Sequence, residues 1–148
     1  MLYRTVALLA LLLLACQNGR TEPLGRGVAA GENSKYYQIQ VTPPEVTVGQ
    51  ETKLVVSVAA TSGWKWNMEY PARFKIAGPG AVRLAKSEFS TKAGDVEAGK
   101  TEARITIPAT ASAQGEYVLE ITGSFSVCND TSCKIMRDEK VSVQVPAR

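Results

Sequence analysis

The feature that most constrains this chain is a period of two. From Tyr37 to Val145 apolar and polar residues alternate in short runs, each closed by Gly, Pro, Ser or Asn. Tyr37, Ile39 and Val41 alternate with Gln38, Gln40 and Thr42, and Leu54, Val56 and Val58 share one face of 52–60. That pattern buries one face of a strand and wets the other. No stretch holds a 3.6-residue period for the length a helix needs.

The same reading sets the order of elements. Pro43-Pro44 stops the first strand, and Val46 and Val48 make a short edge piece. Trp64 and Trp66 share a face if Trp64–Asn67 is a strand. Arg73–Ile76 alternates, and Gly78-Pro79-Gly80 is a turn. Val82 and Leu84, then Glu88–Thr91, give two more pieces. Residues 92–101 read as a polar loop. Ala103, Ile105 and Ile107 form a strand that Pro108 is expected to end, and 109–115 read as a loop of small residues. The longest strand runs over about 116–127, with Tyr117, Leu119, Ile121 and Gly123 on one face, and the last runs from Cys133 to Val145. Short strands with turns at this spacing predict an all-β, immunoglobulin-like antiparallel β-sandwich over 35–148, without repeat or second domain.

Composition narrows the chemistry. The 148 residues contain no histidine, which removes Ser-His-Asp and Cys-His catalysis and imidazole metal sites. The net charge of +3 is small and its lysines and arginines are scattered, so no nucleic-acid partner is expected. Two thiolates without histidine do not fill a tetrahedral zinc site. Copper(I) held by Cys128, Cys133 and Met136 is the metal alternative; no metal or other cofactor is expected.

The N-terminus reads as an export signal. Arg4 supplies a positive charge, Val6–Leu14 is an apolar run too short to span a bilayer, and Leu13-Leu14-Ala15-Cys16 closes it. The closing tetrad resembles a bacterial lipobox. That resemblance implies removal of 1–15, a diacylglycerol on the Cys16 thiol and an envelope location facing the periplasm. Each buried methylene adds about 0.8 kcal/mol, so two or three chains anchor the protein to the membrane. Gln17 in place of aspartate implies, for a Gram-negative host, the outer rather than the inner membrane. Residues 16–34 then form the lipidated start and a glycine-rich tether that could reach roughly 60 Å when extended.

Cys128 and Cys133 bracket Asn129, Asp130, Thr131 and Ser132, all turn formers, between two alternating runs. This places one cysteine near each end of a hairpin loop, within the roughly 4.4–6.8 Å Cα separation that disulfides use. In an exported chain such a pair is a permanent staple or an exchangeable dithiol, and the spacing leaves both open.

Three stretches resemble the N-terminal domain of the DsbD thiol:disulfide interchange family. They are Gly63-Trp64-Lys65-Trp66-Asn67 through Tyr70-Pro71; Ser87-Glu88-Phe89 followed by a loop and Ile105-Thr106-Ile107-Pro108; and Val127-Cys128-Asn129-Asp130-Thr131-Ser132-Cys133. The resemblance covers about 36–146 and implies an immunoglobulin-like fold whose cysteine pair exchanges with partner disulfides. It implies that Cys133 bonds to partners, that Cys128 resolves the mixed disulfide, and that Phe89 is an aromatic cap shielding the pair. Lys134-Ile135-Met136-Arg137 departs from the proline pair common there. The family protein continues into a membrane domain and a thioredoxin-like domain that these 148 residues do not contain. A separate thioredoxin-like or membrane electron-transfer partner is therefore expected. The alternative is an anchored binding or structural module with a permanent bridge.

Two further expectations concern the cysteine environment. Lys134 beside Cys133 favours a thiolate there, whereas Asp130 opposes it, and no helix N-terminus is expected to add to the effect. Trp64, Trp66 and Tyr70 read as core or rim residues, and Glu69 and Glu88 as solvated acids.

Overall fold

Strand β1, Tyr37–Thr42, buries its odd residues and exposes its even ones, as its alternation requires. The computed structural model describes residues 34–42 and 45–148. The expected signal peptide, Cys16, the tether up to residue 33 and Pro43-Pro44 lie outside the described residues. Among the described residues nine more strands follow: β2 Glu51–Ala60, β3 Lys65–Trp66, β4 Arg73–Ala77, β5 Val82–Leu84, β6 Glu88–Ser90, β7 Val96–Ala98, β8 Glu102–Ala111, β9 Gly115–Cys128 and β10 Cys133–Ala147.

They form two antiparallel sheets. The first has the order β1-β2-β8-β5, with β7 also pairing β8. The second has the order β10-β9-β4-β6, with β3 also pairing β9. Residues 45–48 tie the two together. Val46 makes a parallel bridge to Ala147 of β10, and Val48 makes one to Ala111 of β8. This is an all-β, immunoglobulin-like sandwich. Tyr117 also donates its hydroxyl to the Ala113 carbonyl at 2.9 Å, a corner bond typical of such folds.

The inner faces supply the core. Leu54, Val56 and Val58 of β2 and Ile105 and Ile107 of β8 are buried from one sheet; Phe74 and Ile76 of β4 and Leu119, Ile121 and Phe125 of β9 are buried from the other. Phe125 is the hub at one end. It stacks on Trp66 at 5.3 Å and on Phe74 at 5.8 Å, and meets Tyr37 edge-on at 5.0 Å.

Three expectations need correction. Pro108 does not end its strand; β8 continues to Ala111. Pro108 lies opposite Lys53 of β2, and its carbonyl accepts from Ala85 on the other side. A strand residue directs its nitrogen and carbonyl the same way. The proline nitrogen therefore faces the gap between β7 and β5, where no donor is needed. The polar stretch 92–101 contains β7, which buries Val96 against β8. The two tryptophans do not share a face within one strand. β3 holds only Lys65 and Trp66, while Trp64 precedes it, half-buried edge-on against Tyr36 at 4.9 Å.

Candidate functional site: an exposed cross-strand disulfide

The β9–β10 hairpin is set by one side chain. Asn129 Oδ1 accepts from the backbone N–H of Thr131 at 3.0 Å and of Ser132 at 2.8 Å, while Asn129 N–H donates to the Ser132 carbonyl at 2.9 Å. The asparagine supplies a local mimic of a backbone turn. Because 129 and 132 are hydrogen-bonded across the turn, the next pair is the close, non-hydrogen-bonded one. That pair is Cys128 and Cys133. They face each other in register and are joined by a disulfide, with Cα atoms 4.0 Å apart. The separation is shorter than the roughly 4.4 Å lower bound expected from sequence.

Strand parity decides what surrounds the sulfurs. Phe125 and Val127 point into the core, so Ser126 and Cys128 lie on the other face, where Ser126 is itself buried and accepts from Asn67 Nδ2 at 3.5 Å. Opposite residues share a face, which puts Cys133 and Ile135 outward and Lys134 and Met136 inward. Cys133 is exposed and Cys128 is half-buried. The pair therefore sits on the outer surface of the second sheet, clear of the core.

On the far side of Cys128 lies β3. Lys65 is the cross-strand neighbour of Cys128, and its ammonium pairs with Asp130 at 3.3 Å. Both groups are largely exposed, so the pair contributes little to stability. Asn67 N–H donates to the Ser126 carbonyl at 2.9 Å, continuing this edge. A groove of about 530 Å³ runs alongside, lined by Lys65, Asn67, Met68, Lys100, Cys128 and Asp130. Met68 is 60% exposed and Ile135 47%, so two large apolar side chains flank the disulfide on the wet surface.

Several sequence-predicted residues lie elsewhere. Phe89 is buried on β6, opposite Phe74 of β4. Phe74 in turn opposes Gly123, five residues along β9 from Cys128 and so roughly 17 Å down the strand. Phe89 is a core ring with Lys86 over it at 5.6 Å, and it is not brought to the disulfide. Lys134 is adjacent to Cys133 in sequence but points to the other face, with its ammonium 5.8 Å from the centre of the Tyr36 ring. Lys65 is the cation on the cysteine face. Met136 packs against the core, on the opposite side of the strand from both sulfurs, so the three copper(I) donors do not converge. Glu69 borders the groove; Glu88 lies in a separate cleft with Phe89. Sequence reasoning missed Lys65, Asn67, Met68 and Ile135. Ile135 was within reach, because counting by two from Cys133 puts an isoleucine on a face that should be polar.

Asp95 lies in that other cleft. A hydrogen bond from the Lys86 ammonium at 2.6 Å holds its carboxyl below the ordinary value, and the Ser90 N–H adds to the effect.

No protein-family model matches the chain, and no curated protein matches it. Solved structures similar to it include WR4, a C. elegans MSP family member, at 13% identity and a TM-score of 0.40, covering 74% of this chain and 97% of that one. Domains 4 and 5 of the S-layer protein SbsC align at 17% identity and a TM-score of 0.34, over 74% of this chain and 50% of that one. AggA, the major subunit of aggregative adherence fimbriae type I from Escherichia coli, aligns at 11% identity and a TM-score of 0.34, over 75% and 92%.

Proposed function

We propose that this chain is a dithiol carrier of the cell envelope, lipid-anchored through Cys16, that passes electrons to the disulfides of exported proteins. The observation that carries this reading is the position of Cys133. It is exposed, it begins an outer strand, and its disulfide lies outside the core. The closed loop is short, so chain-entropy reasoning gives the bridge only about 2 kcal/mol. The sandwich already has a continuous core without it.

In the reduced domain the Cys133 thiolate attacks one sulfur of a partner disulfide. A Cys133–partner bond forms, the partner disulfide breaks, and the departing partner thiolate takes up a proton. The Cys128 thiolate then attacks the Cys133 sulfur, and the second partner thiolate leaves and is protonated. Two electrons and two protons pass to the partner, and the Cys128–Cys133 disulfide remains. A membrane dithiol donor restores the reduced state by the reverse exchange. The greater exposure of Cys133 supports its role as the sulfur that meets partners. Lys65 stands on the same face as the disulfide, with its ammonium paired to Asp130.

The test is equilibration in glutathione buffers, with alkylation of Cys128 and Cys133 read by mass. A carrier titrates between about −120 and −270 mV, whereas a potential below about −300 mV marks a permanent bridge and the structural-module alternative. In cells, Cys128→Ala should accumulate a dithiothreitol-sensitive adduct on Cys133. Its absence counts against the carrier.

A further inference from the structure

The outer edge of β10 is open where the chemistry would occur. Among the described residues β10 ends its sheet and pairs only with β9 beside the disulfide. Its far end is covered, since Val46 N–H donates to the Pro146 carbonyl at 2.9 Å. Past Met136 the ladder shifts register and Asp138 takes a left-handed φ of 52°, which bends the edge away from further pairing. The straight, uncovered stretch is thus Cys133–Met136.

Parity fixes which backbone groups face outward there. Cys128/Cys133 is a non-hydrogen-bonded pair, and so is Ser126/Ile135 two residues on. The Ser126 carbonyl confirms this, because it points away from β10 and accepts from Asn67. The N–H and C=O of Cys133 and of Ile135 therefore point to the free edge. Among the described residues none of the four has a hydrogen-bond partner.

We propose that the redox partner docks by adding an extended strand, antiparallel, to this edge, with its reacting cysteine opposite Cys133. This rests on the dithiol-carrier reading and adds the mode of recognition. A residue opposite Cys133 on the new side forms a hydrogen-bonded pair, with Cα atoms about 5.5 Å apart, at the centre of the range disulfides use. Its side chain lies on the same outer face as the Cys133 sulfur. The three sulfurs then stand in a row across three neighbouring strands: partner, Cys133, Cys128. Displacement at sulfur needs the entering and leaving sulfurs on opposite sides of the central one, and this row provides that. Exposed Ile135, on the same face two residues along, offers the incoming strand an apolar contact. Backbone bonds supply affinity and alternate side chains supply selectivity, as in other strand-addition complexes.

The experiment uses the full chain carrying Cys128→Ala. The probe is a short β-forming peptide with one cysteine activated as a mixed disulfide. A second peptide is identical except for backbone N-methylation at the positions that would pair. The parent peptide should label Cys133 about tenfold faster than the methylated one, the weight of one or two net backbone hydrogen bonds. Ile135→Pro removes an outward N–H but no bond to β9, so it should erase the preference. Ile135→Ala should keep it. Labelling by a small uncharged disulfide should be the same in all variants.

Equal rates for the two peptides, or a preference that survives Ile135→Pro, overturns the docking mode. So does exchange protection of the Cys133 and Ile135 amides before peptide is added, which would assign the edge to another part of the chain or to a second copy. The potential from glutathione equilibration is independent of these rates. A structural potential with a clear peptide preference removes the carrier reading, and a carrier potential without a preference removes only the strand addition.

Discussion

Tyr37 donates its hydroxyl hydrogen to Glu139 Oε1 at 2.6 Å, bridging the edge strand of one sheet to the edge strand of the other. The bond depends on the irregularity at Asp138. The extra residue there puts Glu139, rather than Asp138, opposite Gly123 and on the inward-facing side. Tyr37, whose ring meets the Phe125 ring edge-on, thus reaches a carboxylate on the inner side of the opposite sheet. Tyr37→Phe should therefore cost about 2 kcal/mol, the usual weight of a hydrogen bond to a charged group. Thermal unfolding should fall by roughly 10 °C. An unchanged midpoint would mean that water replaces the phenol at no cost.

Gly123 faces a tighter constraint from its other neighbour. A Cβ built there would lie 2.8 Å from Cε1 of Phe74, a ring stacked on Phe125 and unable to swing away. Gly123→Ala should destabilise by about 1–3 kcal/mol, as overpacked cores do. Phe74→Leu in the same chain should recover part of that loss. A urea double-mutant cycle measures the coupling, and additivity within about 0.5 kcal/mol would deny the clash.

Lys86 and Asp95 set a pH dependence away from the disulfide. The Lys86 hydrogen bond keeps the folded carboxyl below its ordinary value of 3.8, with the Ser90 N–H assisting. A depressed folded value means stability that is present above about pH 4 and lost as pH falls through the lower folded value. Lys86→Ala should raise the Asp95 titration midpoint, read by NMR of its carboxyl carbon. The variant should be less stable than the parent at pH 7, and the gap should narrow below about pH 4. A gap that does not narrow as pH falls below about 4 would assign the effect to the contact of Lys86 with Phe89 instead.

Much of the sandwich was legible because period two is a local property. The alternation of Tyr37, Ile39 and Val41 is the burial pattern of β1, and the runs at 52–60 and 116–127 lie within β2 and β9. What sequence could not supply was lateral placement. Pro108 is harmless only because β7 and β5 leave a gap beside it, and Val96 is buried only because β8 runs past a polar loop. The same limit applied at the site. Adjacency suggested Lys134 as the cation near Cys133, but parity turns it to the other face and pairing brings in Lys65 from sixty-odd residues away. Phe89 fitted a capping role by order along the chain, yet two strands and about five residues of ladder separate it from the sulfurs.

Asn129 links the local turn to the chemistry. Its Oδ1 gathers the N–H groups of Thr131 and Ser132, and so holds Cys128 and Cys133 opposite each other whether or not they are bonded. In the reduced domain that order raises the effective concentration of one thiol at the other, which favours the disulfide. Asn129→Ala removes the acceptor and frees the loop, while leaving the β9–β10 ladder below Cys128 intact. The loss of about 1–2 kcal/mol of preorganisation should raise the potential by roughly 20–40 mV, since 30 mV corresponds to about 1.4 kcal/mol for two electrons. Global stability of the reduced protein should change little, because the turn is exposed and the core lies elsewhere. Glutathione titration of parent and variant gives the first quantity, and urea unfolding of the reduced forms gives the second. A potential that does not move would show that the strands alone fix the cysteine register. A large fall in reduced-state stability would make Asn129 a folding residue rather than a determinant of the redox poise.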